Sequence, residues 1–115
     1  MAFRVEVAPQ ALDDLDGISD HLTLAAGFAV AQRWFNGMMD AIRTLEQFPA
    51  RCPVAPESRA LGREVRVLLH GRKGRAYKIF YEVWPEGPEE GVVRVFHVRH
   101  WARKPLLKDD LADLL

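Results

Sequence analysis

Residues 96–105, FHVRHWARKP, put two histidines and three cationic side chains into ten positions. Such a cluster could ligate a metal, move protons at a phosphate, or grip an anion. Metal ligation is the weakest of these. His97 and His100 are three residues apart, and on a strand that spacing sends them to opposite faces. Zinc needs converging ligands, and the chain offers one cysteine and no further ligand motif. No metal and no cofactor are expected. Phosphodiester cleavage needs a base for the attacking hydroxyl, cations for the charge that develops on phosphorus, and an acid for the leaving oxygen. His97, His100, Lys78 and Arg99 could fill those roles without metal, or could simply decorate a sheet.

The wider charge pattern reads equally as a solvated basic rim or as a surface that holds an anionic partner. Lysine plus arginine equals aspartate plus glutamate at 16 each, yet residues 1–50 hold three basic groups against seven acidic ones. Between 59 and 79, Arg59, Arg63, Arg66, Arg72, Lys73, Arg75 and Lys78 face only Glu64. Segregation of this kind makes a local positive field on a neutral molecule. Arg66, Arg72, Lys73, Arg75 and Arg99 are the candidates for holding nucleic acid or an acidic protein. The GRKG stretch at 71–74 is not a phosphate loop, because GxxxxGK[ST] is absent. It reads as a hairpin turn with basic side chains. Cys52 reads as structural, and a lone cysteine agrees with a reducing compartment. There is no apolar run of the ~20 residues a membrane span needs, and MAFRVEV lacks the apolar core of a secretory signal. A cytoplasmic protein without a membrane partner is expected.

The elements that must position these residues follow from periodicity. Phe3, Val5 and Val7 alternate with Arg4 and Glu6, which predicts a strand over 2–8. Pro9 suits a first helical position, and Leu12, Leu15, Ile18 and Leu22 carry a helix to Gly27. Ala31, Phe35, Met38, Ile42 and Leu45 predict a second helix over 28–48, with Trp34, Ala41 and Phe48 widening its apolar face. So short a turn makes the two helices an antiparallel hairpin. FPARCPVAPES is a proline-braced loop. Three strands follow at 64–70, 75–84 and 91–101, joined by glycine-bearing turns and therefore antiparallel. On the second of them Tyr77, Ile79, Tyr81 and Val83 share one face, opposite Lys78, Phe80, Glu82 and Trp84. On the last, His97, Arg99 and Trp101 share a face, opposite Phe96, Val98 and His100. Leu107, Leu111 and Leu114 give the tail one apolar helical edge. The whole of 1–115 is expected to be one α+β domain, an N-terminal strand and a two-helix hairpin packed on a small, mostly antiparallel β-sheet.

This order, with VEVAPQALDDL, AIRTLEQFP, RCPVAPES, LLHGRKGRAYKIFYEV and VRVFHVRHWARKPL, resembles the RelE/ParE superfamily of bacterial toxins, and within it the ParE-like plasmid-stabilisation proteins. The resemblance covers nearly the whole chain. It implies the toxin half of a type II toxin–antitoxin pair, inhibiting growth and neutralised by a cognate antitoxin, and it leaves room for a homodimer. RelE-like members cut mRNA on the ribosome, whereas ParE-like members poison DNA gyrase and lack the nuclease residues. Lys78 stands at the nuclease branch's middle-strand basic position, where arginine is usual, and Arg103 at its arginine after the last strand. The tyrosine or histidine that often follows that arginine is missing, since residues 106–115 hold no aromatic. This departure tilts the expectation toward a binding toxin, with a ribosome-dependent endoribonuclease as the alternative.

Overall fold

The computed structural model describes residues 3–72, 74–84 and 91–102. Strand β1 (Arg4–Val7) leads into helix α1 (Pro9–Ala26), and α2 (Phe28–Arg43) follows after a single residue. That residue, Gly27, has φ 94°, which a side chain would resist, so the chain reverses there. A 3₁₀ turn at Thr44–Glu46, a second at Pro49–Arg51, and a short helix α3 (Ser58–Leu61) precede β2 (Arg66–His70), β3 (Tyr77–Trp84) and β4 (Val92–His100). The sheet order is β1-β4-β3-β2. β2–β3 and β3–β4 are antiparallel, and β1 lies parallel to β4 because the helical hairpin carries the chain across between them. The α+β expectation holds.

The helical layer and the inner sheet face share one core. Leu15, Met38, Ile42 and Leu45 close on Ile79, Tyr81, Val93, Val95 and Val98, all fully or nearly fully buried. The second helix stops short of its predicted end. It gives way to 3₁₀ geometry at Thr44, and Phe48 takes a left-handed conformation with 79% of its surface exposed. Phe48 therefore does not join the apolar face assigned to it from spacing.

The outer face of the sheet is not bare. Phe80 and Phe96 form a second core there with Ala8, Ala55 and Val65, and Leu61 and Val67 pack on it. The proline-rich segment makes this lid: Val54 bridges to Arg66, Val67 N–H donates to the Pro53 carbonyl, and Ser58 Oγ bonds both the N–H and the carbonyl of Val65. Phe96 sits there because β4 is bulged. Phe80 pairs with His97 and Tyr81 with Val95, so Phe96 is the extra residue and leaves the set of Val98 and His100. The predicted C-terminal helical edge, Leu107 to Leu114, lies outside the described residues.

Candidate functional site

The bulge also decides where the histidines go. Beyond Val95, β1 has ended and the outer edge of β4 would be open. Helix α1 covers it instead. Asp14 Oδ2 accepts hydrogen bonds from the Val98 N–H at 3.0 Å and from His97 Nδ1 at 2.7 Å. One carboxylate thus satisfies an edge-strand donor and fixes a histidine. Burial works against the charge on Asp14, but the bonds from His97 and Val98 and the attraction of His97 outweigh it, so its pKa falls below the ordinary value. The His97 ring stacks on Phe80 with centroids 6.0 Å apart, and only 9% of the residue is exposed. Sequence reasoning missed Asp14. It sits on the polar side of a helical repeat, and nothing local marks its partner 83 positions away.

His100 lies on the other face, edge-on to Tyr77 at 5.3 Å, and Tyr77 meets Trp34 edge-on at 5.2 Å. The two histidines are separated by the sheet as their spacing requires. Among the described residues no group of three or more histidine, cysteine or acidic side chains is placed to hold a metal ion. Tyr77, His97, Arg99 and His100 with Asp13, Asp14 and His21 of α1 line a cleft of about 510 Å³ at this end of the sheet. A neighbouring groove of about 300 Å³ adds Leu22, Val30, Trp34 and Arg75.

The cations fall into three groups. Lys78 and Arg99 are register partners on the face that carries His97. Arg72 and Arg75 are exposed in the β2–β3 turn, where the Arg75 N–H donates to the Arg72 carbonyl. Arg66 is a structural brace: its Nη1 donates to the carbonyls of Ala50 and Cys52 and its Nη2 to Glu64. Lys73 and Arg103 lie outside the described residues. Lys78, Arg99 and His97 thus share the outer face, His100 lies on the inner face yet lines the same cleft as His97 and Arg99, and Arg66 is bonded into the loop of Ala50 and Cys52.

A larger groove, about 760 Å³, opens far from this cluster. Phe3, Phe48, Pro49, Ala50, Arg51, Glu64, Arg66 and Val83 line it. Its wall is pinned from inside by Tyr81, whose hydroxyl donates to the Pro49 carbonyl. Burial, then hydrogen bonding with Cys52, pushes that phenol above its usual range, so it stays a neutral donor.

The comparisons agree with this architecture. No curated protein matches the chain. A solved structure titled "Chromosomal ParDE TA system from P. aeruginosa" overlays with a TM-score of 0.67 over 86% of this chain and 96% of that one. Its sequence identity is 19%, so the likeness concerns the fold. Residues 5–105 match the family described as "ParE toxin of type II toxin-antitoxin system, parDE". That match runs from the first strand past the last, and the chain belongs to the ParE toxin family.

Proposed function

We propose that this protein is the toxin of a type II toxin–antitoxin pair, acting in the cytoplasm. It arrests growth by binding a macromolecular target such as DNA gyrase, and a cognate antitoxin neutralises it. The family match carries the toxin assignment. The observation that favours binding over cleavage is the state of the histidines. His97 is buried, with one ring nitrogen held by Asp14, and His100 faces the helical layer. Lys78 is not among the residues that line the cleft of His97, Arg99 and His100, and His97 is almost fully buried, whereas a cleaving site needs acid, base and cations around one phosphate.

A second mechanism keeps one observation in its favour. Lys78, Arg99 and His97 share a face, as a metal-free ribonuclease would want. Induction of the chain without its antitoxin separates the two. The binding mechanism predicts growth arrest with altered plasmid supercoiling and intact message. Ribosome-dependent cuts in mRNA by toe-printing, abolished by Lys78→Ala, would replace it with the nuclease. Undisturbed growth at verified expression would remove the toxin assignment itself.

A further inference from the structure

Phe48 combines three properties that rarely coincide. It is a bulky residue at φ 48°, ψ 56°, a conformation in which its Cβ crowds the backbone. Its side chain is exposed rather than packed. The backbone around it is nonetheless held on every side. Arg51 folds back to donate from Nη1 to the carbonyls of Thr44, Gln47 and Phe48, and from Nη2 to Thr44 Oγ1. Two of these carbonyls also accept backbone N–H groups, Thr44 from Gln47 and Phe48 from Arg51, so the guanidinium adds a second layer of bonds to the turn. Tyr81 pins Pro49, and Arg66 holds Ala50 and Cys52. Backbone strain kept up by such bracing, with no return in core packing, points to a task outside the core.

The surroundings say what kind of task. Phe48 lines the 760 Å³ groove together with Phe3, Val83 and the exposed Ala50. The charge there is lopsided. Arg66 has Glu64 at 2.8 Å, whereas Arg51 bonds only neutral oxygens among the described residues. A rigid exposed aromatic beside an apolar trough, with an uncompensated guanidinium at its edge, is complementary to an apolar anchor next to a carboxylate. We infer that this corner docks an acidic, apolar-anchored peptide segment of the antitoxin. The inference rests on the toxin–antitoxin assignment and adds the site and the chemistry of the docking segment. Because the corner is braced before binding, little ordering entropy is lost when it engages.

The probe is the product of the reading frame adjoining this chain's own, coexpressed and then titrated against purified toxin variants. Phe48→Asn is the informative change, because asparagine tolerates left-handed backbone and should keep or raise thermal stability. The expected result is undiminished melting temperature with affinity weakened about thirtyfold. Ala50→Asp places a carboxylate on the exposed rim and should weaken binding, whereas Ala50→Lys should not. Equal affinity of wild type and Phe48→Asn would overturn the docking site while leaving the toxin assignment intact. A neighbouring product that fails to bind the wild-type chain would overturn both. A homodimer that Phe48→Asn dissociates would assign the corner to a second copy and overturn the peptide.

Discussion

At the scale of single residues, Asp14 carries the most consequence. It is mostly buried, accepts two hydrogen bonds from β4, and has a pKa lowered from 3.8. The sign of its pH effect follows. A carboxyl with a depressed folded pKa contributes stability that is present above its unfolded value and lost as pH falls through the lower folded value. Asp14→Asn retains the shape but loses the charge. We expect it to destabilise the protein by about 1.5 kcal/mol near neutral pH, the scale of hydrogen bonds to a charged acceptor. Denaturant titrations should show a gap between wild type and variant that closes as pH falls below the unfolded value of 3.8 and through the lower folded one. A gap that stays fully open below the folded value would mean that the carboxylate charge is not the group that matters. The sequence carried the chemistry of His97 and His100 but not this tether. Helical periodicity identifies which residues avoid the core, and it cannot say which of four aspartates on α1 lands over a strand edge.

The elements show where local pattern suffices and where it stops. Both helices, their glycine junction and all four strands were legible because amphipathic repeats and turn residues are local signals. The end of α2 was not, because Phe48 continues the apolar repeat in type while the backbone leaves the helix. The lid over the outer sheet face was missed for a related reason: α3 spans only Ser58–Leu61, too short for a period to register. One clue was present. Phe80 is a large apolar side chain on the face that also carries Lys78 and Glu82, which suggests a second cover. The bulge at Phe96 had no clue, since the strand reads as continuous alternation with or without it. The β2–β3 turn offers a test at this scale. Gly71 has φ 123°, and a Cβ there would stand 2.8 Å from the Arg75 carbonyl oxygen. Both strain and clash oppose any side chain, so Gly71→Ala should destabilise by about 2 kcal/mol. Because this turn sets the register of His70 with Tyr77, amide exchange should quicken first along β2. An alanine variant as stable as wild type would show that the turn relaxes freely.

The whole molecule separates two surfaces along the length of β3. The docking corner gathers around Val83, and the basic turn precedes Tyr77. Six residues of strand place them about 20 Å apart. Arg72 and Arg75 are exposed there, beside a groove lined by aromatic Trp34 and Tyr77. A target that carries phosphate or acidic side chains would find its cations at this end, and an antitoxin peptide would find its anchor at the other. The two should therefore be separable by substitution. Arg72→Glu with Arg75→Glu reverses the field of the turn without touching the core, so stability should change by no more than about 0.5 kcal/mol. Growth arrest should weaken strongly, while copurification with the antitoxin persists. Growth in a strain without antitoxin gives the first readout, and a pull-down of the coexpressed pair gives the second. Loss of both together would place target and antitoxin on one shared surface. Loss of antitoxin binding alone would move the anchor to the basic end. Only arrest lost with binding kept fits a toxin whose neutraliser need not cover the target surface by direct contact with this turn.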